Sequence, residues 1–141
     1  MPNISPVLLS IIIPLHNRAE EIQQLVASIP SRSDIEIIIV DDHSEFEIPR
    51  LMHDQIRFYP LPESKRFAGA ARNYGLEQAV GKWICFADSD DLFEPSELIK
   101  LLAYLNQEDA DIIFFQAKSF LEDGSGGKRH ESINRLFSLA K

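Results

Sequence analysis

Leu8-Leu9-Ser10-Ile11-Ile12-Ile13-Pro14-Leu15 and, further on, Ile35-Glu36-Ile37-Ile38-Ile39-Val40-Asp41-Asp42 are the stretches that decide the fold. Each is a short, β-branched apolar run closed by a proline or by acids, the pattern of a strand buried on both faces. Between them Ile22, Leu25, Val26 and Ile29 fall at i, i+3, i+4 and i+7, an amphipathic helix that Asn17 is placed to cap and Pro30 ends. Strand, helix and strand with such continuous runs predict a crossover and parallel pairing, with the first strand central. Glu36 is the polar interruption in the second run.

Outward from that unit the alternation continues. Ile56-Arg57-Phe58-Tyr59, closed by Pro60, reads as a third strand, and Gly69 to Ala79 as a helix. Trp83 to Ala87 is a fourth strand ending at Asp88-Ser89-Asp90-Asp91. Glu94-Pro95 opens a helix with Leu98, Leu101, Leu102 and Leu105 on one face, and Ile112 to Phe115 is a fifth strand. About 122–128 reads as a flexible loop. The spacing of Ile133, Leu136, Phe137 and Ala140 predicts a terminal helix over 129–141. No internal repeat appears, so residues 1–141 read as one α/β domain with a mostly parallel central sheet.

The chain has 141 residues, with 14 Lys+Arg against 22 Asp+Glu and a formal charge of −8. With 45% hydrophobic residues it can build a core and is not intrinsically disordered. Its apolar runs fall far short of the roughly 20 residues of a spanning helix, so no transmembrane segment is expected. An acidic balance argues against nucleic acid as a partner. Cys85 is the single cysteine, which excludes an internal disulfide. That thiol and the lack of a charged-then-apolar leader point to the cytoplasm.

In an open parallel sheet, ligands bind beyond the carboxyl ends of the strands. Here those ends deliver His16-Asn17-Arg18, Asp41-Asp42-His43-Ser44 and Asp88-Ser89-Asp90-Asp91 to one rim. Crowded carboxylates with no His or Cys among them suit Mg²⁺ or Mn²⁺. The same residues equally suit a turn and a helix start. Asp41-Asp42 can accept from a nucleoside's ring N–H or ribose hydroxyls, or can be an ordinary acidic turn. Arg72, in the first turn of a helix, would aim donors at a diphosphate; its alternative is a surface pair with Glu77 or Glu63. Cys85, Trp83 and Phe86 fit the core, and solvation is the default for His16, His43, His53 and His130.

Ile11-Ile12-Ile13-Pro14-Leu15-His16-Asn17-Arg18, Ile38-Ile39-Val40-Asp41-Asp42-His43-Ser44, Gly69-Ala70-Ala71-Arg72-Asn73-Tyr74-Gly75 and Phe86-Ala87-Asp88-Ser89-Asp90-Asp91, in this order, resemble the family 2 glycosyltransferases. The resemblance covers positions 8 to about 117. It implies the GT-A fold, a Rossmann-like three-layer sandwich, cut short after its donor-binding half. It also implies inverting transfer from a nucleotide-sugar, UDP-linked by family habit, to the hydroxyl of a glycan or lipid-linked acceptor in polysaccharide biosynthesis. By this analogy Pro14 and Arg18 line the nucleotide site, Asp41 meets the base, Arg72 lies by the base or diphosphate, and Asp88 holds the ribose. Asp90 would bind Mn²⁺ or Mg²⁺, supported by Asp91. Association with the inner face of a membrane would come through regions outside the match.

Two departures stand out. Members often carry Tyr where His16 stands and Gly within the loop occupied by Lys65-Arg66-Phe67. The family's general base lies beyond the matched region, and Glu122, Asp123 and Glu131 come too early to replace it. The other reading is therefore a nucleotide-sugar-binding or assembly module without turnover. A receiver domain fits poorly, because its acidic pair follows the first strand. A haloacid-dehalogenase-like phosphatase fits poorly as well, because Asp91-Leu92 breaks its motif.

Overall fold

In the computed structural model, β1 (Leu9–Leu15) is buried at every residue and lies at the centre of the sheet. The structure describes residues 6–115, 117–120, 126–129 and 134–137. β2 (Ile35–Asp41) pairs parallel with β1 from Leu9↔Ile35 to Leu15↔Asp41. β3 (Ile56–Pro60) and β4 (Trp83–Phe86) extend the parallel sheet on opposite sides, β3 against β2 and β4 against β1. The chain thus builds outward to β3, then returns across β1 to lay down β4, so the switch point lies between β1 and β4.

Alternate strand residues go to opposite layers. Ile11, Ile13, Ile37, Ile39, Trp83 and Cys85 form one core with α1 (Ala19–Ala27) and α3 (Pro95–Leu105), which contribute Ile22, Leu25, Val26, Leu98, Leu102 and Leu105. Ile12, Ile38, Val40 and Ile84 form the other with Ala71 of α2 (Phe67–Gln78). This is the expected three-layer α/β sandwich. α2 sits so close to β1 that a Cβ on Gly75 would lie 2.5 Å from Ile12 Cγ2.

The end of the chain departs from expectation. β5 (Ile112–Phe115) lies at the sheet edge, and β8 (Asn134–Phe137) inserts antiparallel between it and β4, giving the order β3-β2-β1-β4-β8-β5. β6 (Lys118–Phe120) and β7 (Gly126–Arg129) form a separate antiparallel pair. The helix expected over 129–141 is therefore corrected, in its described residues, to strand. Adjacent Leu136 and Phe137 suit either element, and the deciding gain is non-local: β8 satisfies backbone groups of both β4 and β5. Of the loop expected at about 122–128, residues 126–128 are strand and 121–125 lie outside the described residues. Asn17 does not cap α1. Arg18 is the N-cap residue, without a side-chain cap, and Asn17 adopts φ 51.

Glu36, the interruption in the second apolar run, is 3% exposed and fully engaged. It accepts from Ser10 Oγ at 2.5 Å, Arg57 Nη1 at 2.9 Å and the Val80 amide at 2.7 Å. The Gly81 amide donates to Ser10 Oγ at 2.8 Å, and Arg57 also bonds the Gln78 carbonyl. A buried carboxylate thus ties α2's exit to the amino end of the sheet. A Cβ on Gly81 would fall 2.6 Å from Ser10 N.

Glu36→Ala would strand these donors and should lower stability by about 3 kcal/mol in urea denaturation; a loss under about 1 kcal/mol would contradict the network's role.

Candidate functional site

The carboxyl ends of β1, β2 and β4 share one rim because their register fixes them there. The Asp42 amide donates to the Leu15 carbonyl at 2.7 Å, and the Ala87 amide to the Ile12 carbonyl at 3.1 Å. The loops after β1 and β2 are stitched together. The Asn17 amide donates to Ser44 Oγ at 3.0 Å, Asn17 Oδ1 accepts from the Glu45 amide at 2.8 Å, and Asp41 Oδ1 accepts from the Ser44 amide at 3.2 Å. Asn17 and His43 take up positive φ here, 51 and 54, so these turns hold a left-handed backbone that Asn and His tolerate better than most residues.

The basic residues split. Arg72 donates to Asp88 Oδ1, joining α2 to the loop after β4, so neither Glu77 nor Glu63 is its partner. Lys65 Nζ lies 5.8 Å from the Tyr74 ring centroid, and Arg66 pairs loosely with Glu63. Arg18 bonds Glu21 at 3.0 Å. Its guanidinium is held above its ordinary pKa first by that bond and by Glu21's charge, then by the charge of Asp90.

In the loop after β4, the Asp88 amide donates to Asp91 Oδ2 at 3.0 Å, closing a turn in which the Asp91 amide meets the Asp88 carbonyl at 2.9 Å. Desolvation, then the charges of Asp88 and Asp90, push the Asp91 carboxyl above the usual range, against the lowering effect of its bond from Asp88. Ser89 is buried and Asp90 exposed. Asp90 has no side-chain hydrogen bond among the described residues, which form no group of three or more metal-ligating side chains. An exposed hard-oxygen carboxylate in an acid-rich turn fits Mg²⁺ or Mn²⁺, ions that take one or two protein carboxylates and fill their shell with phosphate and water. It does not fit a closed structural metal site.

Pro14 is buried within β1 opposite Val40 rather than open on the rim. The sequence offers Asp41 and Asp42 together as acceptors, and the family resemblance assigns the base to Asp41; the structure separates the two, with Asp42 turned to the start of α2. Asp42 Oδ2 accepts from the Phe67 amide at 2.8 Å, while its Oδ1 is buried with no hydrogen-bond partner. Asp41 likewise accepts one backbone amide, that of Ser44 on its Oδ1. The signal was available in the doublet itself: at the end of a buried strand, adjacent residues face opposite ways. His16 Nδ1 lies 2.6 Å from the Asp42 carbonyl oxygen, so both departures from the family pattern, at His16 and at Phe67, touch Asp42.

The histidines are not simply solvated. His16, His43 and His53 each meet a backbone carbonyl, those of Asp42, Lys65 and Pro30; His130 lies outside the described residues. Trp83 and Cys85 are core, as expected.

The mostly parallel α/β sheet with flanking helices has the GT-A fold. The chain belongs to the glycosyl transferase family 2, whose model matches residues 10–140. It is 34% identical over 118 residues to an uncharacterized glycosyltransferase of Haemophilus influenzae, covering 79% of this chain and 39% of that protein. It is also 29% identical to the poly(ribitol-phosphate) beta-N-acetylglucosaminyltransferase TarP of Staphylococcus aureus, over 74% of this chain and 35% of TarP. The chain thus spans little more than a third of these relatives. Among solved structures, S. aureus TarS 1–349 superposes with a TM-score of 0.74 at 21% identity, over 94% of this chain and 47% of that one. TarS 1–349 in complex with UDP-GlcNAc gives 0.61 at 24% identity, over 75% and 33%.

Burial, and next the charge of Asp91, push the Cys85 thiol up to about 12. A thiol reagent at pH 8 should therefore leave Cys85 unmodified in the native chain and label it on unfolding, read by intact mass. Since the folded value lies above the unfolded one, this group's contribution to stability is lost as pH rises from about 9 towards 12. Rapid native labelling would contradict the burial.

Proposed function

We propose that this chain is the donor-binding portion of an inverting glycosyltransferase, taking a nucleoside-diphosphate sugar together with Mn²⁺ or Mg²⁺. The observation that carries the reading is the meeting, at the carboxyl rim, of the Arg72–Asp88 pair, exposed Asp90 and the acidic pair that ends β2. In a relative of the same fold, TarS, the ligand is UDP-GlcNAc, which favours UDP as the nucleotide. The acceptor would be a glycan or lipid-linked hydroxyl.

Asp90, with Asp91 in support, would hold the cation; when bound it supplies positive charge against the diphosphate as the leaving group gains negative charge. Arg72 and Arg18 are the rim's cationic donors for the diphosphate. Asp88 accepts from the ribose while Arg72 fixes its orientation. Pro14, buried, supports the site from beneath by setting the end of β1. Of the acidic pair, Asp42 Oδ2 holds the start of α2 through the Phe67 amide, and Asp41, with one oxygen on the Ser44 amide, offers the other to a base N–H. Removal of the acceptor's proton is assigned to none of these residues. A binding module without turnover is the second reading, favoured by that same division: every carboxylate placed at the rim has a donor-side role.

Calorimetric titration with UDP and Mn²⁺ should show saturable, metal-dependent binding. Arg72→Ala should weaken it about tenfold or more, the scale of a lost charge-assisted bond, and Asp90→Ala should abolish the metal dependence. Binding indifferent to both substitutions would overturn the proposal. Release of UDP from a UDP-sugar in the presence of glycan acceptors separates the transferase from the inert module.

A further inference from the structure

With the donor laid out as proposed, its parts follow the order of the sheet, the base at the end of β2 and the cation at the end of β4. The next strands on that side, β8 and β5, flank the place where the sugar would meet its acceptor. β5 runs in the same direction as β4, because each is antiparallel to β8. Ile84, Phe137 and Ile112 share one level, so Phe115 and Asn134 stand level with Ala87, the residue before Asp88. The β6–β7 pair is inserted in the chain between Phe115 and Asn134, and so leaves the sheet at this rim. Neighbouring strands about 4.8 Å apart put β5 roughly 10 Å from β4 and its acidic loop.

The strands at this end of the rim differ in charge from the rest of the chain. Over the whole sequence acids outnumber Lys and Arg, 22 to 14. β6, β7 and β8 carry Lys118, Lys128, Arg129 and Arg135 and no acid. The register sets exposed Lys118 directly opposite Arg129. Like charges opposite one another across antiparallel strands cost stability. A bound anion reverses that cost, and a neutral ligand does not.

We infer that the β6–β7 hairpin, with Lys118 and Arg129 as its paired cations, recognises the acceptor, and that the acceptor is an anionic glycan carrying phosphate or carboxylate groups along its chain. This rests on the donor-site reading above and adds the substrate class on the other side of the reaction. Phosphodiester and uronate polymers share the required chemistry, a row of fixed negative charges, and a guanidinium pairs with either anion.

Calorimetry on the full chain, with UDP and Mg²⁺ present, compares three oligomers of equal length: a poly(glycerol phosphate), an oligogalacturonate and a neutral dextran. An anionic oligomer should bind, the tighter of the two identifying the source of charge, and its affinity should fall as salt is raised. Dextran should not bind. Substituting Lys118→Gln and Arg129→Gln together should weaken the anionic oligomer about tenfold, the scale of lost charge-assisted bonds, while Lys118→Arg retains it. UDP affinity in the double variant should stay within about twofold of wild type, which excludes misfolding as the cause; its loss would overturn a role confined to the acceptor. Anionic binding untouched by the double substitution, or equal binding of dextran or of an oligothymidylate of matching charge, overturns the assignment. Wild type that binds UDP and none of the oligomers also overturns it and leaves the donor site standing. Wild type that binds an anionic oligomer but no UDP overturns the donor reading and the acceptor role with it.

Discussion

The parallel registration of β1 between β2 and β4 is the constraint on which the rest of the molecule depends. Leu15 opposite Asp41, and Ile12 three residues earlier opposite Phe86, bring three strand ends to the same side of the sheet, and each end carries a polar loop. Because both faces of β1 and β2 are apolar, a one-residue slip would exchange Ile for Ile, and the register that aligns the loops is held by the polar anchors: Ser10 opposite and bonded to Glu36 at one end, and the Asp42 amide on the Leu15 carbonyl at the other. The amino end is closed differently, by the buried Glu36 with Ser10 and Arg57. The amino end of the sheet is thereby locked by satisfied charge, and the carboxyl end carries the exposed acid Asp90.

That asymmetry gives the rim its chemistry. Arg72 balances Asp88 and Arg18 balances Glu21, while Asp90 and the buried Asp42 Oδ1 have no hydrogen-bonded partner among the described residues. Cationic and anionic groups alternate around the switch point, as a ligand carrying both a diphosphate and a coordinated cation requires. The depression lined by Ser31, Arg50, Leu51, Met52, His53 and Asp54 lies at the amino side of β2 and β3, away from this chemistry.

Much of this was legible in the sequence. Doubly buried strands announce themselves as unbroken β-branched runs, and the helices between them by one apolar stripe, because both patterns are local records of burial. The rim followed from strand order alone. What stayed hidden was non-local. Glu36 reads as a flaw in a strand until Arg57 and Val80 arrive from elsewhere in the chain. β8 reads as a helix because its spacing cannot report the strands waiting beside it. The Asp41-Asp42 doublet implies two opposite directions, but only the structure shows where each leads, Asp41 Oδ1 to the Ser44 amide and Asp42 Oδ2 to the Phe67 amide.

Amide chemical-shift mapping tests the central claim most directly. With UDP and Mg²⁺ added to the labelled chain, perturbations should gather at residues 15–18, 41–44, 65–72 and 88–91, and substituting Mn²⁺ should broaden signals most strongly around Asp90. Shifts centred on Ser31 and Arg50–Asp54, or none anywhere, would contradict a donor site at the carboxyl rim.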